Sequence, residues 1–133
     1  MTVGIHGVNL ANKWLDALSN TSFASGTATL YVQLHTNDPG TAGTSNPCTH
    51  TTRQTVSWSA ASAGTKSASG SPVCTWTISG LGGNETVSHL SVWSSLTGGT
   101  FFFSVDCTDK SVSNTDVLNL TSLAIGLAPL AAG

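Results

Sequence analysis

The sequence predicts a mainly β chain: an antiparallel β-sandwich or flattened barrel preceded by one N-terminal α-helix. Six or seven short stretches between Leu30 and Leu127 alternate apolar with polar residues, the period of a strand with one face buried. Clusters of Gly, Pro, Asn and Ser separate them, as turns require. Only one stretch, near the N-terminus, has apolar residues at the three-to-four spacing of a helix. At 133 residues the chain suits a single domain spanning 1–133, able to bury roughly two-thirds of its unfolded surface.

In order along the chain, Met1 to Gly7 has two glycines and no periodicity, and is expected to be an arm. From Val8 to about Ser19, Leu10, Trp14 and Leu18, with Ala11 and Leu15 beside them, share one helical face, while Asn9, Lys13 and Asp16 fall on the other. Trp14 reads as a core or docking residue. The β-sandwich is expected over 28–128. It opens with Leu30 to Gly40, LYVQLHTNDPG, where Leu30, Val32 and Leu34 point to the core and Tyr31, Gln33 and His35 to a wetter face. Asp38-Pro39-Gly40 then demands a reversal, proline fixing φ at the first corner and glycine supplying the positive φ of a type II turn at the second.

Thr41 to Thr52 has loop composition and is the first candidate for a contact surface. Thr55 to Ala60 and Val73 to Ser79 alternate as strands, with the small-residue linker Ser62 to Ser71 between them. Thr86 to Ser94 alternates too, but its phase breaks between Val87 and Leu90, the mark of a bulge or of burial on both faces. Leu96-Thr97-Gly98-Gly99 connects it to Thr100–Val105 in a hairpin, and three consecutive phenylalanines there imply burial on both faces. Asp106 to Thr115 reads as a polar turn, and Asp116 to Leu120 and Leu123 to Leu127 as two closing strands.

Composition excludes several functions. Only 8% of residues are charged, and a net charge of -2 leaves no basic stripe for phosphates, so nucleic-acid binding is not expected. Membrane-surface attraction fails for the same reason. There is no apolar run of about 20 residues and no secretion signal at the N-terminus, so no membrane is expected and folding in the cytoplasm is. Low charge also removes a barrier to association.

Candidate sites are sparse. Cys48, Cys74 and Cys107 lack zinc spacing and read as buried or half-buried free thiols, a Cys48–Cys74 bridge being the alternative in an oxidising setting. The sequons at Asn20, Asn84 and Asn119 are what a Ser- and Thr-rich chain produces by chance. His35 with Asp38 could form a base and its orienter, but no nucleophile elbow accompanies them, so His35 is expected to hydrogen-bond locally. Cys48-x-His50 has no second ligand pair. Asp106, Asp109 and Asp116 match no calcium loop, and a lone Glu85 cannot pair for glycoside hydrolysis. No catalytic residue, metal or cofactor is expected. Trp58, Trp76 and Trp93 could stack sugars in a carbohydrate-binding module, although their alternation favours burial.

LYVQLHTNDPGTAGTSNP resembles the opening strand and turn of a family of small virion proteins of actinobacterial tailed phages, which carry LHT-x-DPG-x-AGT. The resemblance continues in Arg53–Ser62 (RQTVSWSAAS), in Thr86–Trp93 (TVSHLSVW) and in the Thr97-Gly98-Gly99 turn, together covering about two-thirds of the chain. It departs at Pro47–Thr52, where the family has a glycine-rich, tyrosine-containing approach. The resemblance implies a non-enzymatic virion protein, assembled in the host cytoplasm. Its leading form is a multi-copy decoration or minor capsid protein on the capsid exterior, its alternative a minor tail or tail-fibre protein. Implied partners are major capsid or tail proteins and further copies of the chain. Ile5, Trp14, Cys48, His50 and Phe102 are the candidate interface residues, with the helix or the arm before it expected to form part of an intersubunit contact.

Overall fold

The structure, a computed structural model, describes residues 3–17, 29–62 and 64–126. It is mainly β with antiparallel sheets. A π-helical turn, Gly7–Ala11, leads into a short helix α1, Asn12–Ala17; the strands are β1 Leu30–His35, β2 Gln54–Val56, β3 Thr65–Ser67, β4 Cys74–Thr77, β5 Glu85–Trp93, β6 Phe101–Val112, β7 Val117–Leu120 and β8 Ala124–Gly126. The expected helix is thus shorter and begins differently. Leu10 and Ala11 N–H both donate to His6 O, which winds the first turn wide. Leu18 and Ser19 lie outside the described residues.

The first sheet has the order β2-β1-β5-β6, every pair antiparallel. Leu34 pairs with Leu90 and Val32 with Val92, and Val92 in turn pairs with Phe103. These side chains line up across three strands on the inner face because opposed residues share a face. Opposite them, β7 and β8 pair along one edge with β4 and β3. Two bonds bridge the gap between the ladders, Ala68 N–H to Leu123 O and Val73 N–H to Leu120 O, each 2.8 Å. Residues just past β2 then pair with β3's other edge, through Ser59 N–H to Ser67 O and Ser69 N–H to Ser57 O. The strand that leaves the first sheet therefore enters the second layer. That gives one corner of a sandwich, not a closed barrel.

Between the layers, Trp58, Trp76, Ile78, Val87, Val112 and Leu123 join the inner residues of β1 and β5 in one buried cluster. Each such aliphatic or aromatic side chain contributes roughly 1.5–3 kcal/mol by leaving water. Trp76 Nε1–H donates to Thr52 O at 3.1 Å, so its one polar atom is satisfied.

Several expectations are corrected here. Ser62–Ser71 is not a linker, because it contains β3, whose Thr-Lys-Ser sequence shows no alternation and is held by ladders on both sides. Asp106–Thr115 is not a turn up to its end, since β6 continues to Val112 against Glu85–Val87. His35 does not face water but is fully buried. The expected bulge in β5 is present as a register shift between Val87 and His89. A second shift between Val92 and Trp93 explains the three phenylalanines: Val92 opposes Phe103 on the inner face, and Trp93, on the other face, opposes Phe101. Phe102 takes up the extra position and is half-buried.

Candidate interaction surfaces

The outer face of the first sheet is closed by a polar chain. His35 Nδ1 is 2.8 Å from Ser45 O, which can only accept, so Nδ1 carries the proton. Nε2 then accepts from Ser91 Oγ at 2.7 Å, and Ser91 Oγ accepts from Trp93 Nε1–H at 2.8 Å. One proton assignment satisfies every member. Burial holds the His35 imidazole below its ordinary range, opposed by the hydrogen bonds to the backbone at Ser45 and Asn46. The set has the outline of a serine, a base and an orienter, yet both Ser91 and His35 have no exposed surface. No substrate reaches it.

The loop after β1 makes this closure possible. Gly40 takes the positive φ expected of it, 74°, but the hydrogen-bonded turn falls later than Asp38-Pro39-Gly40, Gly43 N–H donating to Gly40 O at 3.0 Å and Ser45 N–H to Pro39 O at 2.8 Å. Asn46 Nδ2 donates to Asp38 O, and Thr36 N–H to Asn46 O, which hold the loop over the sheet. Gly43, also at φ 74°, lies flat on the Phe101 ring, where a Cβ would come within 2.5 Å of a ring carbon. Beside it, the Arg53 guanidinium sits 4.1 Å above the Trp93 ring. It donates to Gln33 Oε1, Ser95 O and Gly98 O, tying the β5–β6 hairpin to β1.

At the other end of the loop, Glu85 accepts from Cys48 Sγ at 3.0 Å, from Thr49 N–H at 2.9 Å and from the Thr49 hydroxyl. Desolvation pushes the Glu85 carboxyl up, but the three hydrogen bonds outweigh it and hold the carboxyl below its usual range. Cys48 is fully enclosed, its thiol pushed up to about 11 by burial and by Glu85. His50 is buried too, its Nδ1 accepting from Ser79 N–H at 3.2 Å. Of the candidate interface residues, Cys48 and His50 are therefore corrected to interior positions that fasten the loop from within. All three cysteines are free, so the alternative bridge falls.

The arm does not project either. Gly4 to His6 adds to the outer edge of β6 through His6 N–H to Phe102 O and Ser104 N–H to Gly4 O. His6 stacks edge-on to Phe101 at 5.8 Å, and Asn9 Nδ2 donates to Phe101 O. What remains outside is Ile5, 37% exposed, and Val8, 68% exposed, while Trp14 is half-buried.

The second candidate surface is one the sequence did not disclose. Among the described residues, β6 beyond the arm and the free side of β7 are unpaired strand edges, and between them the sandwich is open. The opening is a cavity of about 790 Å³ floored by Leu34, Trp76, Val87 and Leu90. Val105, Cys107, Leu118 and Leu120 are half-buried at its mouth. The misreading of Asp106–Thr115 as a turn hid one of its two lips. Arg53 and Ser91 were also missed as organising residues; the only signal was that Arg53 is one of just four cationic residues.

The remaining candidates are not assembled. Trp58, Trp76 and Trp93 are all buried, so none presents a ring to a sugar. His35 and Asp38 do not form a base and its orienter, that place being taken by Ser45 O. Among the described residues no three His, Cys, Asp or Glu side chains are grouped to hold a metal ion, and no helix is long and apolar enough to cross a membrane.

A family model described as podophage GP4 fiber I protein gp80 matches residues 8–128. It carries the broader expectation of a phage virion protein, without naming the actinobacterial group that the LHT-x-DPG segment resembles. No curated protein matches the chain.

Proposed function

The chain belongs to the podophage GP4 fiber I protein gp80 family, and from that membership we propose that it is a non-enzymatic structural subunit of a podophage tail fibre. The single observation that carries this is the match itself, which spans nearly the whole β domain. The geometry is compatible with it. The His35–Ser91 pair is enclosed, and the fold leaves strand edges and apolar side chains outside. That is the surface of a protein that binds other proteins.

The family favours the fibre over decoration of the capsid, which was the leading expectation from sequence. Contacts to neighbouring virion proteins are assigned to the N-terminal element, through Ile5 and Val8. Gold-labelled antibody against the chain, viewed on intact particles by electron microscopy, distinguishes the two locations. Label at the tail supports the fibre; label spread over the head supports decoration and contradicts the fibre.

A further inference from the structure

We propose that the small cavity between the N-terminal arm and Thr41 is an anchor socket, which takes one large apolar side chain from an uncharged surface of another virion protein. This rests on the structural-subunit reading and gives its N-terminal contact a partner chemistry.

The cavity holds about 160 Å³ and is lined by Gly4, Ile5, His6, Gly7, Thr41 and Phe101. That is room for a single side chain, not for a strand or a helix. At Gly4 and Gly7 an added Cβ would meet nothing within 4 Å, so the arm wall is bare backbone beside open space. Buried Phe101 is the floor.

The socket is formed before anything enters it. On one side the arm is bonded along β6, His6 N–H donating to Phe102 O at 2.8 Å and Ser104 N–H to Gly4 O at 3.1 Å. On the other, the bond from Gly43 N–H to Gly40 O closes the turn that carries Thr41. Phe101 is fixed between them: His6 meets it edge-on, Trp93 packs against it with ring centres 5.4 Å apart, and Gly43 lies on its face. A pocket whose walls need no rearrangement loses little binding energy to ordering.

Charge and exposure select the occupant. None of the six lining residues is Asp, Glu, Lys or Arg, so a charged group entering would find no opposite charge, whereas an apolar one leaves no ion desolvated. Ile5 is 37% exposed at the mouth, and Val8, next to Gly7, is 68% exposed. A contact hot spot has this anatomy, an anchor in a preformed pocket with a water-excluding ring around it. Ile5 and Val8 carry the contact assigned to neighbouring virion proteins, and the socket is continuous with them.

The test is a size series at Thr41, which is exposed and lines the cavity from the loop side. Thr41→Ala leaves the socket open, Thr41→Leu fills part of it and Thr41→Trp fills it. Each variant is supplied in trans to a phage lacking the chain, and its copies per purified particle are counted by quantitative mass spectrometry, with far-UV circular dichroism and urea unfolding to verify the fold. Thr41→Ala should match the wild type, Thr41→Trp should fall about tenfold or more, and Thr41→Leu should lie between. Incorporation of the Leu and Trp variants at the wild-type level overturns the socket. So does an equal loss in all three, which would trace to the hydroxyl and not to the space. Sedimentation of the purified wild type covers the remaining occupant: self-association that Thr41→Trp abolishes would put a second copy in the socket and overturn its assignment to another protein. A wild type missing from particles contradicts the structural-subunit reading itself, so the two failures are distinguishable.

Discussion

His35 Nε2 and Ser91 Oγ lie 2.7 Å apart at the centre of the first sheet, with no exposed surface on either residue. The hydroxyl donates to the imidazole and accepts from Trp93, so the bond joins β1 to β5 across their outer face. A buried polar chain with every member satisfied specifies one arrangement of its loop and strands. In this chain that arrangement is the Thr36–His50 loop folded down over the sheet.

The first prediction concerns pH. Burial lowers the His35 pKa from its ordinary 6.5, so the unfolded chain takes up a proton that the folded chain refuses. Stability from this group is fully present above pH 6.5 and is lost as pH falls through it, with a slope of at most about 1.4 kcal/mol per pH unit. Urea unfolding from pH 7.5 to 5 should show the fall, and the His35 ring resonances should titrate with a midpoint below 6.5. A ring that titrates at or above 6.5 contradicts this.

A second prediction follows from Arg53. Lysine keeps the charge but cannot reach Gln33, Ser95 and Gly98 together while lying flat on Trp93. Arg53→Lys should cost about 1–2 kcal/mol and speed amide exchange in the Ser94–Gly99 turn. Unchanged exchange in that turn would show that the guanidinium does not hold it.

Gly43→Ala gives a third. The new methyl group meets the Phe101 ring at 2.5 Å, and φ of 74° disfavours any side chain, so both effects act together. The expected loss is about 2–4 kcal/mol. Alanine at exposed Gly82, where nothing lies within 4 Å, should be nearly neutral and serves as the control.

The fourth concerns the N-terminal element. Ile5 and Val8 are exposed, so replacing both with aspartate should leave unfolding unchanged while lowering incorporation into particles several-fold. Normal incorporation would remove these two residues from the contact.

Where a strand has one apolar face, the sequence makes it legible. β1 with the positive φ of the following Gly40, and the bulge in β5, follow from alternation and from a break in its phase. β3 does not, because Thr65, Lys66 and Ser67 carry no pattern and depend on partners distant in sequence. The far half of β6 was hidden too, because Thr108, Asp109, Lys110 and Ser111 interrupt its alternation where it edges an opening. His35 was assigned to water because alternation distinguishes faces without revealing that a loop covers one of them. The burial of Cys48 and His50 has the same origin, since loop composition carries no sign of what lies beneath.

The most direct measurement is the number of copies of this chain per purified particle, by quantitative mass spectrometry against the major capsid protein. A tail-fibre subunit predicts a small, fixed number per particle. A number approaching that of the capsid protein would contradict the fibre, and absence from the particle would contradict the structural reading altogether.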